Sequence, residues 1–126
     1  ENIFMYYETM DLCKKVRMFN KKIYACKKIK FTHYGAQSIN SKFSYQFFLS
    51  RSWHYNWSKF YYLKKNFGYF FAIRKIFPNF IRSIKKMIIC RIQRKKKEYL
   101  LHKNELSGIL ASVFNRPSTY RPFEIE

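Results

Sequence analysis

The sequence predicts a mainly α-helical chain with one short β segment near its start. Residues 8–19 carry apolar side chains at helical spacing, and residues 23–33 contain two short runs typical of strands. The stretch 41–67 contains neither glycine nor proline, and residues 67–92 repeat an apolar stripe every three or four positions. These patterns place the β segment between an amphipathic helix and a long helical region.

The first predicted helix begins with two acids, Glu8 and Asp11. Negative charge is favourable in the first turn because the N-terminal end of the helix dipole is positive. Asn20 fits the C-cap position of this helix. The predicted β segment follows, with residues 23–25 in one run and an alternating run that passes through His33.

The remaining chain is predicted to be helical up to an extended tail. One face of residues 41–67 is almost wholly aromatic; its members are Trp53, Trp57, Phe60 and Tyr61. Gly68 interrupts this helix, and Pro78 is expected to begin a new one after a break at Phe77. The helical pattern then continues to a weak point at Gly108.

The charge of the chain is strongly positive, with a formal net charge of +19. Residues 12–97 contain no acid at all, so this region attracts polyanions such as nucleic acid, anionic lipid or diphosphates. An AT-rich genome would favour the same lysine-rich composition. Three cysteines without metal-ligand spacing argue against a disulfide framework or a zinc site, and no apolar run reaches the ~18 residues of a membrane span.

Three residues near the start are candidates for chemistry. Glu8 and Asp11 could accept a proton from a hydroxyl, although acids in a first turn more often only complement the helix dipole. His33 could be a neutral imidazole ligand to a divalent cation, although a lone histidine at a strand end is more often a hydrogen-bonded surface residue.

Two helical stretches are candidates for binding surfaces. Trp53, His54 and Trp57 lie among basic residues and could stack nucleic-acid bases, but helix packing explains them more simply and no nucleic-acid-binding signature is present. Residues 67–97 combine an apolar face with a basic one, as in helices that lie on anionic membranes. Packing against the chain's own core explains this pattern equally well.

The order of these pieces resembles the end of the catalytic domain in family-2 glycosyltransferases, especially the rhamnosyltransferase-like branch. There a phrase like F-D-E-x-F-F-x-Y-x-E-D-x-D-L-C-x-R precedes a basic helix and then K-I-x-x-x-P-x-A-x-I-x-H-x-G-G-x-S. The matching residues here are Glu1, Phe4, Tyr6, Glu8, Asp11, Leu12, Cys13, Lys15, Ile23, His33, Gly35 and Ser38. The later "RSWHYNWSKFYYLKKNFGY" and "SGILASVFNRPSTYRP" are similar to the helix and tail that follow in some members.

The resemblance implies a fold and a division of the chain. It implies the C-terminal fragment of an α/β GT-A-type nucleotide-sugar transferase fold, followed by long amphipathic helices. Residues 1–38 would end the catalytic domain, and residues 39–126 would form a basic, membrane-associated helical region at the cytoplasmic face of the cell membrane. Because the nucleotide-binding half and its acidic metal motif are absent from this sequence, the fragment alone is expected to be inactive.

The resemblance also implies an activity. An inverting glycosyltransferase moves a sugar from a nucleotide diphosphate donor to a cell-surface glycan or lipid-linked acceptor, and a divalent metal (Mg or Mn) neutralises the leaving diphosphate. Asp11, or else Glu8, would be the catalytic base, because Thr9 stands where the family most often has an acid. His33 would be a metal ligand. The alternative is a small basic nucleic-acid-binding or membrane-surface protein without catalysis, with nucleic acid the less favoured partner.

Overall fold

The computed structural model describes residue 3, residues 5–32 and residues 44–121, and these residues form four α-helices. The helices are α1 (Glu8–Met18), α2 (Ser44–Phe67), α3 (Tyr69–Ile92) and α4 (Lys96–Val113). The helix predicted over residues 8–19 is therefore confirmed as α1. None of the four helices is long and apolar enough to cross a membrane.

The predicted β segment is wrong. Residues 21–32 contain no strand, and no sheet occurs anywhere in the described part of the chain, so the prediction of an α/β GT-A-type fragment is wrong as well. The reason is physical: a strand needs a partner edge for its backbone groups, and the apolar side chains of this run, such as Tyr24 and Phe31, are almost fully exposed instead of packed. His33, at the end of the predicted run, lies outside the described residues.

Helices α2, α3 and α4 pack on one another as a three-helix bundle. Its core contains Phe60 from α2, Ala72 and Ile76 from α3, and Ile109 from α4. Four half-buried side chains pack around this core: Leu63, Ile73, Phe80 and Val113. Spacing of three, four and seven positions places these apolar residues on the side of each helix that faces the other two.

Two residues expected to interrupt helices do not. α3 runs through Pro78, which lies on its exposed side, where water can satisfy the carbonyl group that loses its hydrogen bond. α4 runs through Gly108, where a Cβ atom would lie 2.4 Å from the backbone oxygen of Trp53. The glycine therefore marks a close approach of α2 and α4. The break between α3 and α4 comes instead at residues 93–95, where Arg94 adopts a positive φ.

Candidate functional site

The carboxylate of Asp11 lies at the junction of α1 and α2. Its side chain is almost completely buried, and Lys65 of α2 donates hydrogen bonds of 2.7 and 2.9 Å to its two oxygens. Lys15, one turn further along α1, lies 3.3 Å away, and the side-chain amide of Asn66 is at 3.5 Å. Asp11 therefore joins the two helices through a cluster of cations.

The pKa of Asp11 follows from these contacts. Burial alone would raise the pKa of this carboxyl, because it disfavours the charged form. Hydrogen bonds from Lys65, Lys15 and Asn66, together with the charge of Lys65, outweigh burial and hold the pKa below its ordinary value of 3.8. Asp11 is therefore ionised at neutral pH, but the donors around it take up the lone pairs that would accept a proton from a substrate.

The other two predicted site residues have different surroundings. Glu8 lies in the first turn of α1, three positions before Asp11, and its side chain is exposed. The structure thus brings Glu8 and Asp11 onto one helix but gives only Glu8 access to a molecule in solution. His33 lies outside the described residues, so its position relative to the two acids stays a prediction.

The entry into α1 is held in a strained conformation. Tyr6 and Tyr7 both have positive φ values, 66° and 65°, which cost energy in residues other than glycine. The ring of Tyr7 packs on Tyr62 and Tyr55 of α2, and the Tyr6 hydroxyl accepts a hydrogen bond from Arg51. These contacts fix the direction in which α1, and with it Glu8, leaves the bundle.

The aromatic residues of α2 are internal. Trp53, His54 and Trp57 are all buried, and they contact the segment 115–121 that follows α4. The indole of Trp57 donates to the carbonyl of Arg116 at 2.9 Å, and the ring of Trp53 stacks on Tyr120. Rings in these positions are not available to stack with nucleic-acid bases.

His54 is the centre of this attachment. Its Nε2 lies 2.9 Å from the carbonyl oxygen of Tyr120 and donates to it, so Nδ1 accepts from the Ser118 hydroxyl at 2.9 Å. Burial lowers the pKa of His54; the hydrogen bond to Tyr120 opposes this shift, and the positive charge of Arg121 adds to it. The neutral imidazole therefore fastens the C-terminal segment to α2.

A cavity of about 680 Å³ lies between α2, the end of α4 and the segment after it. Tyr61 and Lys64 line it from α2, and Ser112 and Arg116 line it from the α4 side. Ile3, which precedes the strained entry into α1, also lines the cavity. No pattern in the sequence groups these residues.

One face of α3 is not covered by the bundle. While Ile76 is buried, its neighbour Phe77 is 57% exposed and Phe70 is 88% exposed. We define the apolar stripe of α3 as Phe70, Phe77, Ile81, Ile84 and Ile88, which recur three, four or seven positions apart. Phe70, Phe77 and Ile88 are exposed, and the two isoleucines between them are half-buried. Exposed cations continue around the helix from this stripe: Arg74, Lys75, Arg82, Lys85 and Lys86. α3 is thus apolar over a wider arc than the bundle can cover.

The described residues do not fit a metal ion by themselves. No group of three or more histidine, cysteine, aspartate or glutamate side chains lies together in residues 5–32 and 44–121. The predicted ligand His33 falls outside these ranges, so its role as a metal ligand stays a prediction.

The sequence alone could not predict which cation pairs with Asp11. With 23 cations between residues 12 and 97, no pattern singles out Lys65 as the partner of Asp11. Comparisons with protein-family models, with curated proteins and with solved structures found no match for this chain.

Proposed function

We propose that the chain is the C-terminal part of an inverting glycosyltransferase that works at the cytoplasmic face of an anionic membrane. The sugar moves from a nucleotide diphosphate donor to a cell-surface glycan or lipid-linked acceptor. The motif order of residues 1–38 supports the glycosyl-transfer chemistry, because this order resembles the end of the catalytic domain in family-2 glycosyltransferases. The observation that carries the membrane attachment is the uncovered apolar stripe of α3 with its cationic border.

In the proposed reaction, a carboxylate accepts the proton of the acceptor hydroxyl. The hydroxyl oxygen forms a bond to the anomeric carbon while the bond from that carbon to the donor diphosphate breaks, so the configuration inverts. Glu8 is exposed and is the better placed base, whereas Asp11 is held by Lys65 and keeps α1, and so Glu8, in position. Asp11 thus acts as a positioning residue in this proposal.

The membrane role follows from the arrangement around α3. This helix has 24 residues, which corresponds to about 36 Å, and its sequence contains no acid. When the stripe enters the lipid boundary, the neighbouring lysines and arginines can reach anionic headgroups by extending their long side chains. Each such cation contributes about 1 kcal/mol near an anionic surface.

The chemistry is tested with the complete gene product and membrane extract as acceptor. Transfer of radiolabelled sugar is measured from a panel of UDP-, GDP- and dTDP-sugars. We expect transfer with one donor and a loss of at least about a hundredfold in Glu8→Gln, within the usual range for a catalytic acid or base. Glu98→Gln, an exposed first-turn acid of α4, is the matched control and should remain active. Absence of transfer with every donor would overturn the enzymatic part of the proposal.

Membrane attachment is tested by co-sedimentation of the 126-residue chain with vesicles. We expect binding to phosphatidylcholine vesicles that contain phosphatidylglycerol, weaker binding at high salt, and little binding to phosphatidylcholine alone. Phe77→Ser should weaken binding about tenfold, since a buried phenylalanine contributes about 1.5–3 kcal/mol. Phe48→Ser on α2 is the control, because Phe48 is also 57% exposed but lies outside the stripe.

These two measurements also separate the alternatives. Vesicle binding without any transfer would leave a membrane-surface protein without catalysis. Binding that does not depend on anionic lipid, or that Phe48→Ser weakens as much as Phe77→Ser, would contradict the role of α3.

A further inference from the structure

An open apolar groove lies between α1 and the end of α2. Its volume of about 600 Å³ is within the usual range of small-molecule sites. Met10, Cys13 and Met18 line it from α1, and Tyr62 and Phe67 line it from α2. Both methionines and Phe67 are more than half exposed. Because water solvates such side chains poorly, the groove favours an apolar occupant.

The two sides of the groove differ in rigidity. Tyr62 is buried, and its ring packs edge-on against Phe67 with the ring centroids 6.3 Å apart, so the α2 side is fixed. The α1 side carries two methionines, whose flexible, unbranched side chains adapt to irregular apolar shapes. Lys14 and Arg17 also line the groove, but cations are too common in this chain to identify a ligand. A fixed side opposite an adaptable one suits a flexible hydrocarbon chain.

The groove adjoins both parts of the proposed function. The ring of Phe67 lies 5.2 Å from that of Phe71, which is next to Phe70 at the start of the apolar stripe of α3. On α1, Thr9 lines the groove and directly follows Glu8, the proposed base. An acceptor that is anchored in the membrane and reacts at Glu8 has to extend from the membrane face to the base, and the groove adjoins both.

We propose that the groove between α1 and α2 holds the apolar chain of the lipid-linked acceptor. This assignment rests on the proposed function for the identity of the ligand, and on the apolar lining for its chemistry. It makes α1 a carrier of both the base, Glu8, and a wall of the acceptor site, which includes Met10 and Met18.

The test uses Cys13 as a reporter inside the groove, with Cys26 as the control. Cys13 lines the groove, whereas Cys26 is exposed on the segment that follows α1. The 126-residue chain is treated with N-ethylmaleimide, and the modification of each cysteine is followed by peptide mass spectrometry. With farnesyl phosphate at ten times its Kd, the groove is free in about one molecule in eleven. We therefore expect modification of Cys13 to slow about tenfold and that of Cys26 to keep its rate.

Two further probes identify what the groove recognises. Inorganic phosphate should not protect Cys13, and protection equal to that by farnesyl phosphate would overturn the proposal in favour of a site for anions. Dihexanoylphosphatidylglycerol, a soluble form of a bulk membrane lipid, should protect less at the same concentration. Equal protection by this lipid would overturn the assignment to the acceptor, because the groove would then be a general contact with membrane lipid.

Met10→Gln and Leu12→Gln form a matched pair on α1. Both side chains are more than half exposed, but Met10 lines the groove and Leu12 is not among its lining residues. Glutamine has nearly the helix propensity of methionine and leucine, so neither change should disturb α1. Met10→Gln should weaken the binding of farnesyl phosphate about tenfold, since it removes an apolar contact with the chain. Equal weakening in Leu12→Gln would show that the probe binds elsewhere.

Failure of this inference is distinguishable from failure of the proposed function. A gene product that transfers sugar, while farnesyl phosphate leaves Cys13 unprotected, would overturn the groove assignment alone. Protection of Cys13 that Met10→Gln removes, in a gene product that transfers no sugar, would remove the transferase and leave the groove as a site for an apolar chain.

Discussion

The three-helix bundle and α1 are held in place by different forces. In the bundle, α2, α3 and α4 bury apolar side chains around Phe60, Ile76 and Ile109. α1 instead leaves Met10, Leu12 and Met18 exposed and attaches to α2 mainly through Asp11 and its cations. Apolar burial is non-directional and spread over many atoms, whereas the attachment of α1 depends mainly on the directional contacts of a few side chains, with the Asp11 carboxylate at their centre.

Because of this difference, we expect α1 to detach from the bundle under conditions in which the bundle itself stays folded. Few apolar contacts and a junction made of charges are features of segments that open locally at low free energy. α1 also carries Glu8, the proposed base, so its opening would remove activity while the bundle stays folded. The following predictions test this separation from the largest expected effect to the smallest.

Gly108→Val should have the largest effect, because it acts on the bundle. A Cβ at this position would lie 2.4 Å from the backbone oxygen of Trp53 and 3.1 Å from its carbonyl carbon, and neither atom can move without shifting α2. We expect the free energy of unfolding to fall by about 3 kcal/mol or more, as measured by urea denaturation. Lys103→Val, at an exposed position of α4, is the control and should cost well under 1 kcal/mol. A normal midpoint in Gly108→Val would contradict the close approach of the two helices.

Asp11→Asn should release α1 and leave the bundle intact. The change leaves Lys65 and Lys15 without the charge that holds them, and we expect it to weaken the docking of α1 by about 1–3 kcal/mol. Hydrogen exchange should accelerate in the amides of α1 but not in those of α3 and α4. Glu8→Gln, which alters the exposed acid of the same helix, should leave exchange unchanged. Equal acceleration throughout the chain would show that α1 and the bundle form one cooperative unit.

The contrast between these two regions also shows how much of the structure could be predicted from the sequence. Helical spacing was sufficient to locate α1 and the apolar faces of the bundle. It did not report burial, because Met10 and Leu12 of α1 keep the helical spacing and are exposed. Alternation of apolar residues misled over residues 23–32, since alternation indicates a strand only where a partner edge exists. The prediction of a weak point at Gly108 was also wrong, because a glycine can mark either a helix end or a close contact between helices. The partner of Asp11 is a lysine 54 positions away, which no local pattern reports.

Acid should loosen the C-terminal segment through His54. The folded-state pKa of His54 lies below its ordinary value of 6.5, so protonation favours the unfolded chain. The stabilisation is fully present above pH 6.5 and is lost as the pH falls from there toward the folded-state pKa. We expect the free energy of unfolding to fall as the pH drops from 6.5 to 5.5, by less than the limit of about 1.4 kcal/mol per pH unit.

The assignment of this pH dependence to His54 is checked with two variants. His54→Gln should be less stable at pH 7.5 but should lose the dependence between pH 6.5 and pH 5.5. His102→Gln, which alters a histidine paired with Glu105 on α4, should retain it. Retention of the full slope in His54→Gln would show that another group is responsible.

Lys14→Met should have the smallest effect and should sharpen the account of how α1 is held. The Lys14 ammonium donates to the carbonyl oxygen of Asn66 at 3.0 Å and lies over the ring of Phe67, at the C-terminal end of α2, where the helix dipole favours a cation. Methionine keeps the apolar stem and removes the charge, so we expect a loss of about 0.5 kcal/mol in the docking of α1, read from amide exchange. Because this contact is partly exposed, high salt should bring the parent chain close to the variant. The contact of Asp11 with Lys65 should respond less, because the Asp11 carboxylate is almost completely buried even though Lys65 itself is exposed. If salt accelerated exchange in α1 as strongly as Asp11→Asn does, the junction would depend on the whole basic surface instead of on one buried carboxylate.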